Sequence, residues 1–238
     1  MKTVFISGGT RGIGRACAEL YAKAGYNVCI TYKESENIAR ELEKELGVFA
    51  VKADVSSSAE VKMAVSKAVE RFGGIDVLVN NAGVSFVGLL QDTSDDTLRR
   101  VMDTNFSGAF YLCREVAPYM IASKSGAIVN IGSVWGKYGA SCEAAYSASK
   151  SAIRGLTTAL AKELGPSGVR VNCIEPGVIK TDMNACFDSE TLDQLAEETA
   201  LCRLGEPSEV AEAVFFLTSD KASFITGQCI GVDGGFPI

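Results

Sequence analysis

A short apolar run, a glycine cluster and an amphipathic stretch open this chain in that order. No other feature constrains its fold as tightly. Residues 3–6 are apolar, β-branched or aromatic; Gly8, Gly9, Gly12 and Gly14 follow at once. Ile13, Cys17, Leu20, Tyr21 and Ala24 then recur at helical spacing until Gly25. The pattern predicts strand, tight turn, helix and a second strand. Glycine accepts a left-handed backbone and lets a phosphate approach the main chain. A helix starting near Gly12 would offer free amides and a positive dipole end to that phosphate. The spacing GGTRGIG differs from the usual GxGxxG, so the loop alone does not fix a ligand.

The remaining segments repeat the alternation. Strand-like runs fall at 3–7, 26–31, 48–53, 75–80, 126–132, 169–174 and 228–232. IDVLVN and AIVNI are nearly continuous apolar runs, as expected for a parallel sheet covered on both faces. The helix over 57–72 carries Ser57 and Glu60 as a capping box and ends at Gly73-Gly74. Long helices are expected over 95–123, interrupted near Met102–Asn105, and over 144–164. A polar segment at 182–203 interrupts the alternation and reads as a mobile substrate flap, and Pro207 starts a last helix. No linker or repeat divides residues 1–238, so the expectation is one doubly wound α/β domain.

Composition narrows the chemistry. The formal charge is −6 with no basic block, which disfavours nucleic acid. Histidine is absent, which excludes imidazole acid–base catalysis and most His/Cys zinc centres. The eight cysteines form no CxxC pair; Cys29, Cys173 and Cys229 sit among apolar neighbours and read as small buried hydrophobes in a reducing compartment, with no metal centre. No cationic leader and no long apolar span is seen, so a cytoplasmic protein without membrane contact is expected.

Tyr146 and Lys150 lie four residues apart within a predicted helix and share one face. A neighbouring ammonium favours phenolate, so the pair reads as a proton donor with a depressed phenol pKa. Polar and glycine residues follow the carboxyl end of one strand after another: the glycine loop, Asp54-Val55, Asn80-Asn81-Ala82-Gly83, Ser133, and Glu175-Pro176-Gly177-Val178-Ile179-Lys180-Thr181. Ligands of doubly wound sheets collect on that rim.

With these motifs in hand, the chain resembles the short-chain dehydrogenase/reductase family, in its shorter subtype, from residue 2 to GVDGG at 231–235. The resemblance implies a Rossmann-like three-layer α-β-α sandwich with a seven-stranded sheet. It implies a catalytic tetrad of Asn105, Ser133, Tyr146 and Lys150. Tyr146 would protonate the oxygen of a carbonyl that receives hydride, Ser133 would hold that oxygen, Lys150 would tune Tyr146 and hold the nicotinamide ribose, and Asn105 would keep a water in place. It further implies cofactor contacts at Gly8, Thr10, Arg11, Gly12, Ile13, Gly14, Tyr32, Lys33, Asp54, Val55, Asn81, Ala82 and Gly83. Others are implied at Tyr146, Lys150, Pro176, Gly177, Ile179 and Thr181, together with a homotetramer.

Residues 31–33 hold no carboxylate for a ribose 2′-hydroxyl, whereas Arg11 and Lys33 suit a 2′-phosphate, so NADP(H) is expected over NAD. YSASK, NCIEPGVIKTDM and SDKASFITGQCIGVDGG are similar to bacterial 3-oxoacyl-acyl-carrier-protein reductases of fatty-acid synthesis. Lys124 stands at one basic position such enzymes place beside the site for an acidic carrier; Ser167 replaces the second. SVWGKYGASCEAAYSASK with PGVIKTDMN also resembles a branch with relatives described as reducing the 5-aminopentanone group on elongation factor P. There Trp135 would wall the pocket and Glu143 attract an ammonium, while Cys142 reads as packing. Glu175 is open between a substrate-end carboxylate and a subunit contact. A sugar or polyol dehydrogenase and a nucleotide-sensing protein without chemistry remain as further alternatives.

Overall fold

Strand β1 (Thr3–Ile6) is buried along its whole length, and its side chains alternate between two cores. Val4 and Ile6 join the core that contains Tyr21 and Val214, while Phe5 joins the one that contains Val65 and Val116. Only a strand covered on both faces has this environment. The computed structural model describes residues 1–184 and 188–236.

Among these residues the sheet comprises β1, β2 (Asn27–Tyr32), β3 (Phe49–Lys52), β4 (Val77–Asn80), β5 (Gly126–Ile131), β6 (Val169–Pro176) and β7 (Cys229–Val232). The order is β3-β2-β1-β4-β5-β6-β7, and every pairing is parallel. One face is covered by α1 (Gly12–Lys23), α2 (Glu36–Leu46) and α9 (Pro207–Thr218). The other is covered by α3 (Ser58–Phe72), α5 (Gly108–Ser123) and α7 (Ala144–Leu164). Each fully buried side chain such as Phe5, Leu78 or Ile128 contributes about 1.5–3 kcal/mol. The chain leaves β1 toward β2 on one side and returns through β4 on the other, which opens a crevice at their carboxyl ends.

The interrupted helix is confirmed. Helix α4 (Asp95–Met102) passes through a wide π-type turn at Asp103–Ser107 before α5 begins. Gly108 lets this corner press on the loop after β3: a Cβ there would come within 2.9 Å of Val55 Cγ2. Two shorter helices complete the set: α6 (Val134–Tyr138) directly after β5, and α8 (Ser189–Glu197), which has no buried residue. Helix α8 falls in the segment read as a flap, of which residues 185–187 lie outside the described residues.

The capping box at α3 is half formed. Ser57 Oγ accepts from the Glu60 amide, but the Glu60 carboxylate accepts from the Asp54 amide at 2.8 Å rather than from Ser57. The tight turn at Asp54 leaves that amide without a strand partner, and Glu60 closes it.

Candidate active site

The crevice begins at Ser7. Its hydroxyl accepts from the amides of Asn81 and Ala82, both at 3.0 Å, while Asn81 Nδ2 donates to the carbonyls of Ser7 and Gly8. These bonds clamp the glycine loop to the end of β4. Gly14 is obligatory beneath the clamp: a Cβ would meet Gly8 O at 2.3 Å and Asn81 Nδ2 at 2.5 Å. Gly8 and Gly12 both have left-handed φ, +66° and +51°. Thr10 is buried in the turn, and Arg11 occupies the N-cap of α1 in extended conformation, exposed and without an ion pair among the described residues. Ile13 packs against the core beside Val4 and Ile6.

Across the crevice, Lys33 follows Tyr32 at the end of β2 and pairs with Asp54, Nζ to Oδ2 2.7 Å. Asp54 also accepts from the Ser56 amide and hydroxyl. Burial pushes its carboxyl up, but the Lys33 and Ser56 hydrogen bonds outweigh this and hold it below the usual range. Lys33 is therefore not a free cation, although half of its side chain and more reaches solvent.

The tetrad residues converge from three places: the β5–α6 junction, α7 and the wide turn before α5. Ser133 follows β5 by two residues, caps α6 by accepting from Trp135 N at 3.2 Å, and stands close enough to Tyr146 to favour its ionised form. Tyr146 and Lys150 lie one turn apart on α7, both buried. Asn105, in the wide turn, reaches back with Oδ1 to the Val84 amide at 2.8 Å and with Nδ2 to Val84 O and Ser149 Oγ at 2.9 Å. A Cβ on Gly83 would sit 3.3 Å from Asn105 Oδ1 and 3.5 Å from Lys150 Nζ, so these three meet at one point. Gly136 lets α6 lie directly on Lys150, whose Cβ would be 2.9 Å from an added methyl.

The expected depression of the Tyr146 pKa by Lys150 is absent. Lys150 Nζ donates to Ile131 O at 2.8 Å and lies 5.7 Å from the Tyr146 ring centre. Burial pushes Tyr146 up to about 12, against the influence of Ser133, and nearby Glu143 adds to the rise. Burial takes Lys150 down to about 8. Desolvation outweighs the mutual attraction because both groups are enclosed and the ammonium is directed to a backbone carbonyl.

The loop after β6 closes the rim. Gly177 N donates to Val232 O, and a Cβ there would lie 2.8 Å from Asp233 Cα. Ile179 pairs with Gly205, which orients Thr181 so that its Cγ2 would lie 3.2 Å from a Cβ on Gly12. The two loops, after β1 and after β6, thus face each other.

The structure also places the remaining candidates. Glu175 is buried and ion-paired with Arg154 of α7, so it is neither an open substrate carboxylate nor a surface contact. Glu143 is half-buried and has its pKa raised by desolvation; it precedes α7 but makes no side-chain cap. Trp135 packs edge-on against Phe236 at 5.5 Å, and Cys142 holds a left-handed φ of 63°. Lys124 and Ser167 do lie near each other: Gly168 packs against Lys124 O. They precede β5 and β6, however, on the rim opposite Ser133. A six-residue parallel strand is about 20 Å long, so Lys124 is not beside this chain's own site.

Sequence reasoning missed Ser7, Asn130 and Arg154. Asn130 links Asn80 to Thr157, joining β4, β5 and α7 through two buried amides. Their partners lie tens of residues away, and only the sheet order brings them together.

This geometry has close parallels. Residues 8–237 match the family described as enoyl-(acyl carrier protein) reductase. The chain is 41% identical over 239 residues to the 3-oxoacyl-[acyl-carrier-protein] reductase FabG of Staphylococcus epidermidis, covering 98% of each. It is 40% identical over 241 residues to the uncharacterized oxidoreductase YmfI of Bacillus subtilis, covering 99% of this chain and 98% of the relative. The crystal structure of a short-chain dehydrogenase/reductase, glucose/ribitol dehydrogenase, from Brucella melitensis superposes with a TM-score of 0.93 at 36% identity, covering 100% of this chain and 97% of that one. Family members use nicotinamide cofactors, and the left-handed Gly8 and Gly12 at the amino end of α1 leave the open cradle such a pyrophosphate needs. With its parallel seven-stranded sheet, glycine cradle and buried Tyr146/Lys150 pair, the chain belongs to the short-chain dehydrogenase/reductase family of oxidoreductases.

Proposed function

We propose that this protein is an NADPH-dependent carbonyl reductase whose substrate is a 3-oxoacyl thioester, carried by acyl-carrier protein or CoA. The observation that carries the reading is the convergence of Ser133, Tyr146 and Lys150 at the rim that holds the glycine cradle. When bound, the reduced nicotinamide supplies hydride to the carbonyl carbon. Tyr146 delivers a proton from its hydroxyl to the developing alkoxide. Ser133 Oγ donates to the same oxygen and fixes its position. Lys150 holds the ribose and offsets negative charge on Tyr146 as the proton leaves. Asn105 secures the Val84 loop against the wide turn of the interrupted helix and so keeps a proton-relay water next to Lys150. Gly8, Thr10, Gly12 and Gly14 would take the pyrophosphate, Asp54 and Val55 flank the adenine, Asn81–Gly83 line the ribose side, and Pro176–Thr181 close on the nicotinamide. Arg11, which has no ion pair among the described residues, with Lys33 shared by Asp54, supports a 2′-phosphate. The 182–203 segment acts as a substrate flap, and the protein works as a cytoplasmic homotetramer.

The FabG relatives support the thioester substrate. A second reading, reduction of the 5-aminopentanone group on elongation factor P, is favoured by Glu143. This half-buried carboxyl stands close enough to Tyr146 to perturb it and would pair with a substrate ammonium. A substrate contest decides. NADPH oxidation is compared on free and carrier-linked 3-oxoacyl thioesters and on the modified factor. The first reading expects kcat/KM highest on a thioester. A tenfold preference for the modified factor replaces it with the second, and turnover of neither removes both.

A further inference from the structure

Beneath α7, Cys173 and Cys229 face each other across β6 and β7, where they are register partners. Glu175, two residues further along β6, lies on the same side. The two Sγ atoms and a Glu175 carboxylate oxygen all lie within 4.8 Å of one another. We infer that these three side chains form a binding site for one soft or borderline divalent cation of the zinc class.

The ligand chemistry is that of zinc: two thiolates and a carboxylate. Ligands about 2.0–2.3 Å from a tetrahedral ion stand roughly 3.5–3.8 Å apart, so the side chains need to close by no more than about an ångström. Gly132, just past the end of β5, packs directly on these side chains without one of its own: a Cβ there would come 2.8 Å from Cys173 Sγ and 3.3 Å from Glu175 Cγ. Arg154 pairs with Glu175 Oε1, which leaves the second carboxylate oxygen for the ion and makes Arg154 the outer partner that orients it. Charge also balances. Two thiolates and one carboxylate are cancelled by the divalent cation together with the guanidinium, as a buried assembly requires. Binding releases both thiol protons. Strand β7 ends the sheet, and the half-buried Cys229 gives the ion access and a place for a water as fourth ligand.

The inference concerns binding and does not rest on the reductase reading. The test is a Cd²⁺ titration of the reduced full-length protein, following thiolate-to-metal charge-transfer absorption. One equivalent is expected. Cys173→Ala and Cys229→Ala should each weaken binding by roughly tenfold or more, since loss of even an outer partner costs this much. Cys202→Ala, at an exposed site, should leave it unchanged. In the wild type, bound Cd²⁺ should also protect Cys229 from maleimide labelling, read by mass spectrometry, which needs no variant to fold. No stoichiometric band in the wild type, a band retained in both core variants, or unprotected Cys229 at saturation overturns the site.

Discussion

The ammonium of Lys150 lies 5.7 Å from the centre of the Tyr146 ring, yet it donates to the Ile131 carbonyl, 2.8 Å away. The pair that reads from sequence as a tuned acid is, in the structure, a high phenol beside a low amine. Burial sets both values, and neither group spends its charge on the other.

Stability should report this directly. Folding lowers Lys150 from 10.5 to about 8. Between those values the unfolded chain holds a proton that the folded chain has lost, so stability rises with pH. Below about pH 8 the penalty of a buried ammonium is fully present. Tyr146, raised from 10 to about 12, works in the opposite sense, but only above pH 10. Urea unfolding from about pH 8 to about pH 10 should show the wild type gaining on Lys150→Met, toward a limit of about 3 kcal/mol. Parallel curves for the two proteins would remove the buried, depressed amine.

Cofactor preference should fall unequally on the two cations. Arg11 has no ion pair among the described residues, and Lys33 is engaged with Asp54. Arg11→Ala should weaken NADPH by about tenfold or more, on the scale of a charge-assisted contact, and leave NADH within a few fold. Lys33→Ala should cost less, because the wild type must share that cation with Asp54. Fluorescence titration of both cofactors measures it. Equal losses for NADPH and NADH, or tighter wild-type binding of NADH, would exclude 2′-phosphate recognition.

Arg154 and Glu175 tie α7 to the end of β6 just before the Pro176 loop. Arg154→Met strands a buried carboxylate and should cost about 2–3 kcal/mol, below the ~3–5 of a fully enclosed pair because Arg154 keeps a wetted side. The double variant Arg154→Ile/Glu175→Ala should recover most of that loss. Denaturant midpoints measure it, and a double variant as unstable as the single would show that the pair is not the cause.

The strand–helix alternation, the broken helix and the Tyr146/Lys150 pair were legible because each is written in local pattern: apolar runs, a glycine cluster, i,i+4 spacing; Ser133 and Asn105 were named only through the family resemblance. What escaped depends on distance in sequence. Ser7 looks like an ordinary turn serine until β1 lies beside β4 and its oxygen receives two amides. Glu175 looks open until α7 lays Arg154 over it. Lys124 matches a local pattern, but a parallel sheet sends the two ends of β5 to opposite rims. Cys173 and Cys229 read as separate small hydrophobes, and register alone makes them a pair.

Tyr146 is the proposed proton donor, and Tyr146→Phe tests that role with one atom removed. NADPH affinity should stay within a few fold, since the ring and the packing around Lys150 remain. Turnover on whichever carbonyl compound the wild type reduces should fall about 10²–10⁴-fold, the usual contribution of a positioned acid. Steady-state kcat with a parallel cofactor titration provides both values. A variant that keeps near-wild-type kcat would contradict the assignment, whatever the substrate.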